Sequence, residues 1–201
     1  LDKLAAICEI PGVMEGSFDS ALCALPREVL ATSLRDHQSA LTVEKPRTGE
    51  LLPLFLTVMD RADDPIGRVR AGNEWVVAAR LADAVFFFAK DRNQKLSEKG
   101  TALDGIAFHQ KLGSYGQKRE RLVALCAAMA EWVKLDGASA KALDTAASLA
   151  KADLSTEMVR EFTSLQGVIG GVYARAEGLP DPVWTSIYEQ YRPAGADDAL
   201  P

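Results

Sequence analysis

Apolar side chains recur every three or four positions over much of the chain, and this spacing predicts helices that bury one face. The first long helix is predicted over residues 75–90, with Asn73 as its cap. Its inward face is expected to consist of four apolar residues: Val77, Leu81, Ala84 and Phe88. The three consecutive phenylalanines at 86–88 make this end apolar nearly all round, so we expect it to be buried from several sides.

The strongest helix signal lies over residues 115–134, where apolar residues repeat at helical spacing. Leu122 and Leu125 are predicted to turn inward on this helix. Further helices are predicted over residues 141–151 with a bend into 153–162, over residues 168–176, and from Asp181-Pro182 onward. Residues 101–201 are therefore predicted to form an all-α domain of about five helices.

The first 71 residues are broken by glycine and proline into short pieces. The breaks include Pro11-Gly12 and Gly16-Ser17. A short helix is predicted over residues 28–34, after Pro26. Two short strands, over residues 41–43 and 54–58, are predicted to be joined by a turn at residues 45–49. The fold class is thus mainly α, with a small α+β segment at 1–71, a connecting helix and polar linker at 72–100, and the helical domain at 101–201.

Composition sets limits on the function. The chain has 201 residues, of which 48% are hydrophobic and 25% charged, values typical of a globular protein and not of disordered or membrane-spanning chains. The net charge of −5 excludes a wholly basic nucleic-acid binder, so such a contact must use a local patch. Because the chain begins at Leu1 without a signal-peptide layout, we expect an internal piece of a longer, cytoplasmic protein.

Catalytic and metal-binding signals are weak. Residues 167–171 are rich in glycine but lack the lysine and hydroxyl residue of a phosphate loop, so close helix packing is favoured. His37 and His109 lie far apart; a solvated or capping role is favoured for the first, and a structural hydrogen bond for the second, with RNA contact as its alternative. The three cysteines lack C-x-x-C spacing and are expected to be buried: Cys8, Cys23 and Cys126. We predict no catalytic residue and no metal ligand.

One basic cluster reverses the overall charge of the chain. Four basic residues stand against one acidic residue, Glu120, which gives +3 within eleven positions. The four are Lys111, Lys118, Arg119 and Arg121. Such a local reversal is typical of contact with a phosphate backbone, where Lys and Arg displace counterions. An ordinary charged helix start is the alternative interpretation.

A series of motifs runs in order through nearly the whole chain. They include residues 16–19, 25–30, 72–88, 91–92, 111–114, 118–121, 150–154, 161–170, 173–178, 191–193 and 197–201. In this order they resemble the β subunit of bacterial two-subunit glycine–tRNA ligases. The resemblance covers the N-terminal part, the long helix and the helical domain, and it identifies the basic cluster as a candidate tRNA contact.

The resemblance implies a role in the ATP-dependent attachment of glycine to tRNA by an α2β2 enzyme. In that family the α subunit carries the class II active site, which uses ATP and Mg²⁺, so no cofactor is expected in this piece. The β subunit is a tRNA-binding partner with several domains, one of which is similar to HD-type phosphohydrolases. The chain would then hold the end of an α+β domain, a connecting helix and the HD-like domain, with no membrane contact.

Three functions compete at this point. The leading one is a non-catalytic section of the β subunit that faces tRNA. The second is a scaffold that holds the α subunit without touching RNA, which the acidic net charge favours. The third is an HD-type metal phosphohydrolase. It is disfavoured because Lys151-Ala152-Asp153 stands where a His-Asp doublet is required, and a lysine ammonium repels a metal ion.

Overall fold

The computed structural model describes residue 6 and residues 8–201. The chain divides into two compact units between Phe87 and Phe88. None of the described helices is long and apolar enough to cross a membrane. Helices dominate the element order after a small sheet, and the prediction of a mainly α fold is confirmed.

The first unit contains a three-stranded antiparallel sheet with its longest strand in the middle. The strands are β1 (Pro11–Ser17), β2 (Ala40–Glu44) and β3 (Leu51–Asp60), in the order β1-β3-β2. Helix α1 (Arg27–Gln38) follows a 3-10 helix (Ser20–Ala24) and contacts β2 and β3. Both predicted strands, the turn between them and the helix after Pro26 are confirmed.

Strand β1 was not predicted, because its glycines resemble breaks in the sequence. Its side chains alternate between exposed and buried, with Gly12, Met14 and Gly16 on the buried face. A Cβ on Gly16 would lie 2.3 Å from the ring of Phe55, and one on Gly12 would lie 2.1 Å from the carbonyl oxygen of Arg61. The glycines therefore allow close approach within the sheet and do not end the strand.

Helix α2 (Arg68–Asp91) begins earlier than predicted. Asn73 consequently lies inside it, where its Nδ2 donates to the carbonyl oxygen of Val69 at 2.9 Å. The predicted inward face is confirmed by three fully buried residues: Val77, Leu81 and Ala84. The expectation that all of residues 86–88 are buried is wrong, since Phe86 is 61% exposed.

The second unit begins at Phe88 and contains a small hairpin followed by packed helices. Its helices are α3 (Leu96–Lys99), α4 (Tyr115–Trp132), α5 (Gly137–Leu149), α6 (Glu157–Glu161), α7 (Val168–Ala176) and α8 (Asp181–Glu189). The hairpin strands are β4 (Ala107–His109) and β5 (Gly113–Ser114), and 3-10 helices cover Gly100–Gly105, Ala152–Ser155 and Thr163–Leu165. Residues 91–100 are not a linker in the structure, because Asp91, Leu96 and Gly100 are buried.

Two helices of this unit differ from the sequence prediction. The helix predicted over residues 141–151 is α5, which begins at Gly137 after its cap, Asp136, and ends at Leu149. The chain then breaks completely at Lys151, whose φ of 73° is left-handed, where a bend was predicted. On α4, Leu125 is 60% exposed and does not turn inward. The reason is that α5 and the 3-10 helix Gly100–Gly105 contact other sides of α4.

Helices α7 and α8 form the closest helix pair of the second unit. The predicted role of the glycines is confirmed, because a Cβ on Gly171 would lie 2.4 Å from the Cβ of Tyr188. Gly170 likewise allows Ile187 to pack, and Ile187 belongs to a buried cluster with Leu96. The three cysteines are half-buried, so their predicted full burial is wrong.

Candidate nucleic-acid interface

The hairpin leads directly into α4 and holds its first turn. Gly113 adopts a left-handed φ of 83°. Ser114 then caps the helix: its Oγ accepts the N–H of Gln117 at 3.2 Å, and the Gln117 side chain accepts the N–H of Ser114 at 3.0 Å. The basic residues at 118–121 follow within the first two turns. They add to the partial positive charge of the helix N-terminus, so this end of α4 is electropositive.

Lys118 lies against two aromatic rings. Its Nζ is 3.9 Å from the ring centroid of Phe108 and 5.9 Å from that of Tyr115. The two rings pack edge to face with their centroids 5.2 Å apart. Cation–π contacts of this kind orient an ammonium group without neutralising its charge. Lys118 therefore keeps its ability to bind an anion.

The other three residues of the predicted cluster have different environments. Lys111 is exposed in the hairpin turn, where its N–H donates to Nδ1 of His109 at 3.2 Å. The structural hydrogen bond predicted for His109 is thereby confirmed. Arg121 is exposed on α4. Arg119 is half-buried, and its Nη1 donates to the carbonyl oxygen of Gly100 at 2.9 Å, so this guanidinium fastens α4 to the preceding 3-10 helix.

A further cation, Lys151, is buried in the second unit. Lys151 is 7% exposed, and its Nζ lies 3.6 Å from the ring centroid of Tyr191. The pKa of Lys151 is lowered to about 8, chiefly by burial; the charge of Asp153 opposes this fall, and the charge of Lys118 makes a smaller contribution to it. Sequence reasoning treated Lys151 only as the replacement for a histidine, because its contact with Tyr191 joins residues that are distant in the chain.

The carboxylate of Asp153 is buried and incompletely hydrogen-bonded. Its Oδ2 accepts the N–H of Gly167, whereas its Oδ1 has no hydrogen-bond partner among the described residues. Burial raises the pKa of Asp153, and the hydrogen bond from Gly167 and the charge of Lys151 oppose that rise. Asp153 is thus a weak counterion for the lysines around it.

A second buried carboxylate, Asp91, has a full set of donors. It accepts from Nζ of Lys99 at 3.1 Å, from the hydroxyl of Tyr173 at 3.0 Å, and from the N–H groups of Glu157 and Met158 at 3.1 and 3.0 Å. This network joins the end of α2 to α3, α6 and α7. Sequence reasoning missed it, because its members are separated by up to 82 positions.

Metal-binding geometry is not found in the part of the chain that the structure describes. Within residues 8–201 and residue 6, no group of three or more His, Cys, Asp and Glu side chains lies close enough to hold a metal ion. His37 is exposed in the last turn of α1, and His109 is exposed in the hairpin. At residues 151–153 the buried carboxylate of Asp153 follows a lysine, Lys151, two positions earlier in the chain.

Comparison with known proteins gives one consistent family. A family model described as glycyl-tRNA synthetase beta subunit matches residues 1–201. Curated relatives named glycine–tRNA ligase beta subunit include those of Acidobacterium capsulatum, 42% identical over 205 residues, and Halalkalibacterium halodurans, 40% identical over 201 residues. A third, from Phenylobacterium zucineum, is 42% identical over 202 residues. Each match covers the whole chain and 29–30% of the relative, so the chain spans about three tenths of the length of these proteins.

Proposed function

Since the chain belongs to the glycyl-tRNA synthetase beta subunit family, we propose that it is a non-catalytic section of that subunit which faces tRNA. The complete protein would support ATP-dependent attachment of glycine to tRNA in the cytoplasm, together with an α subunit in an α2β2 assembly. The α subunit would bind ATP and Mg²⁺. The helical part of this chain would be the HD-like domain.

The observation that carries the proposal is the electropositive start of α4. Lys118 and Arg121 are three positions apart on one helix, so both side chains can reach neighbouring phosphates of one strand. Lys111 extends this surface from the hairpin turn. Arg119 contributes charge but is engaged with the carbonyl oxygen of Gly100. Contacts of this kind position a nucleic acid and do not read its sequence, so glycine identity is read elsewhere.

The structure offers little for the competing hydrolase function. An HD-type hydrolase needs several His and Asp ligands around its metal ions, and such a group is missing from the described residues. Lys151 stands two positions before Asp153, and its charge, which opposes the rise in the pKa of Asp153, disfavours a cation at that carboxylate. An HD-like fold without this site would leave only a binding role.

One observation favours the scaffold function as a second candidate. The second half of α4 exposes apolar side chains, with Leu125 and Trp132 exposed by 60% and 82%, together with Met129 and Val133. A contiguous exposed apolar face on a helix is typical of a protein contact. In this case Leu125→Gln with Trp132→Gln would weaken association with the α subunit and leave tRNA affinity unchanged.

The test measures tRNA binding by the full-length two-subunit enzyme at several salt concentrations. Lys118→Gln with Arg121→Gln removes two proposed phosphate contacts, so affinity should fall about tenfold or more and the salt slope by about two. The loss should be the same for glycine tRNA and for a non-cognate tRNA. Lys134→Gln with Lys141→Gln is the matched control, because both lysines are exposed in the same unit, away from the start of α4.

The proposal fails if the double variant at 118 and 121 keeps the affinity and salt slope of the control. Arg121 is exposed, so its charge should contribute less than about 1 kcal/mol to folding. Lys118 is half-buried against Phe108, so the urea midpoint of the double variant is measured beside that of the control. Unchanged RNA binding together with weaker subunit association in the variant at 125 and 132 would establish the scaffold function instead.

A further inference from the structure

A cavity of about 530 Å³ lies beside the hairpin that precedes α4. Its volume falls within the range of about 300–1,000 Å³ that is typical of small-ligand sites. Its lining residues include Asp104, Phe108, His109, Gln110 and Ser114, which all belong to the second unit. Because Asp104, His109 and Gln110 are exposed, the cavity opens at the surface of that unit.

One side of the cavity is formed by two rings that have defined neighbours. Phe108 is half-buried, and its ring centroid lies 3.9 Å from Nζ of Lys118 and 5.2 Å from the ring centroid of Tyr115. The exposed ring of His109 has its centroid 6.5 Å from that of Phe108, and its Nδ1 accepts the N–H of Lys111 at 3.2 Å. Flat rings that are held in this way offer a surface on which another flat group can stack.

Two polar side chains of the cavity have unused hydrogen-bonding groups. In the described part of the chain, neither the carboxylate of Asp104 nor the amide of Gln110 makes a hydrogen bond. Asp104 lies against the first turn of α4, since a Cβ on Gly116 would lie 1.8 Å from its Oδ1. A carboxylate accepts hydrogen bonds, and an amide both donates and accepts them. The cavity thus combines an aromatic wall with polar groups that suit the edge of a flat ligand.

The cavity and its border carry opposite charges. Asp104 contributes a carboxylate to the lining, and none of the described residues that line the cavity is a lysine or an arginine. The cations lie at its border, where Lys118 contacts Phe108 and Lys111 donates its backbone N–H to His109. A phosphate is therefore repelled from the cavity and attracted to the border, whereas a neutral ring that carries an amino group can enter.

We propose that this cavity binds the base of one unpaired nucleotide, while the phosphates of the same RNA strand contact the basic residues at its border. The base stacks against the rings of Phe108 and His109, as unpaired bases do on aromatic side chains. Asp104 accepts a hydrogen bond from an amino group of the base, which cytosine, adenine and guanine have and uracil lacks. The inference rests on the proposed function, because it takes the tRNA bound at Lys118 and Arg121 as the source of the nucleotide.

Ultraviolet crosslinking of the full-length two-subunit enzyme to glycine tRNA tests the contact directly. Irradiation joins a base to a side chain that it touches, and digestion with trypsin and ribonuclease leaves a nucleotide on the peptide. The tryptic peptide of residues 100–111, which contains Phe108 and His109, should carry this adduct. The control is the peptide of residues 122–134, which contains the exposed Trp132 and should carry none. Adducts on the control peptide alone, or on neither peptide, would overturn the proposal.

Two variants of His109 separate stacking from a purely structural role. His109→Ala removes one ring of the wall, so tRNA affinity should fall about tenfold with an unchanged salt slope, because no phosphate contact is lost. His109→Phe keeps a ring but lacks Nδ1, and it should restore most of the affinity. If His109 acted only by orienting Lys111, both variants would lower the salt slope by about one, and phenylalanine would not restore binding. That pattern, or full affinity in His109→Ala, would contradict the proposal.

Asp104→Asn tests the preference for an amino group. Hexanucleotides of cytidine and of uridine carry the same phosphates, so the ratio of their affinities for the full-length enzyme reports on the base. The ratio in favour of cytidine should fall about fivefold in Asp104→Asn, because an amide can also donate to the oxygen that uracil has in place of the amino group. The control is Glu131→Gln, an exposed carboxylate near the other end of α4, which should leave the ratio unchanged. An unchanged ratio in Asp104→Asn would overturn the assignment of Asp104 to the site.

The outcomes also separate this proposal from the proposed function. An adduct on residues 100–111 and weaker binding by His109→Ala, with no effect of Lys118→Gln and Arg121→Gln, would support the base site and refute the phosphate contacts. Weaker binding and a lower salt slope in that double variant, without an adduct or a loss at His109, would support the proposed function and overturn the base site. Crosslinking uses the unaltered enzyme, so it decides even if a variant fails to fold.

Discussion

The two buried carboxylates of the second unit have opposite surroundings. Asp91 accepts four hydrogen bonds, one of them from the ammonium group of Lys99, whose side chain is 9% exposed. Asp153 is equally buried, but its carboxylate accepts one hydrogen bond, from the backbone N–H of Gly167. It keeps one oxygen without a donor and has no ion pair within 4 Å among the described residues.

The difference separates a fully hydrogen-bonded network from a buried charge that is only partly satisfied. A buried charge is stable in the folded protein when hydrogen bonds and an opposite charge replace its hydration, as at Asp91. Around Asp153 and Lys151 the replacement is incomplete, because one oxygen of Asp153 has no donor among the described residues and Lys151 has no carboxylate at ion-pair distance there. The first region can be expected to stabilise the fold, and the second to cost some stability.

The largest expected effect is at Asp91. Asp91→Ala leaves the ammonium group of Lys99, the hydroxyl of Tyr173 and two backbone N–H groups buried without an acceptor. The free energy of unfolding should fall by about 3–5 kcal/mol. Hydrogen exchange of α7 amides in increasing urea measures this free energy. The control is Asp197→Ala at an exposed position, which should change the free energy of unfolding by less than about 0.5 kcal/mol. A loss under about 1 kcal/mol at Asp91 would refute the structural role.

A smaller effect is expected when the cation of the same network is removed. Lys99→Met leaves Asp91 with three uncharged donors, so the free energy of unfolding should fall by about 2 kcal/mol. The same urea-dependent hydrogen exchange measures the change, and Lys134→Met is the exposed control. Equal changes in the free energy of unfolding for Lys99→Met and for the control would show that the ion pair with Asp91 does not stabilise the fold.

The smallest effect, and one of opposite sign, is expected at Lys151. Lys151→Met removes a buried cation, so the free energy of unfolding should rise by about 1 kcal/mol at pH 7. The pKa of Lys151 is lowered from 10.5 to about 8 in the folded chain. The unfolded state therefore binds the proton more tightly, and the unaltered chain should gain stability as the pH rises from 8 to 10.5.

Lys151→Met should lack that gain. The amount by which its free energy of unfolding exceeds that of the unaltered chain should therefore shrink as the pH rises. Urea unfolding at pH 7, 9 and 10 measures the comparison, with Lys134→Met as the control. Destabilisation by Lys151→Met at pH 7, of the size expected for Lys99→Met, would show that the two lysines have the same structural role and would remove the contrast between the two regions.

Much of the fold followed from local patterns in the sequence. The existence of β2 and β3, the inward face of α2 and close helix packing at the glycines of α7 were all predicted, because each signal lies in residues close together along the chain. Strand β1 was missed because Gly16 resembles a break when the sequence is taken alone. The position requires glycine because a Cβ there would collide with the ring of Phe55, which lies on another strand. The folding of residues 91–100 was missed because their partners lie far away in sequence.

The sequence by itself determined the mainly α character, the family, and the basic residues at the start of α4. These depend on residue type and spacing, which a chain carries without being folded. Only the tertiary structure decided which of those cations are available: it binds Arg119 to Gly100, leaves Arg121 exposed, and places Lys118 over the ring of Phe108. Burial, hydrogen-bond partners and the proximity of distant charges arise when the helices pack, and these quantities separate Asp91 from Asp153.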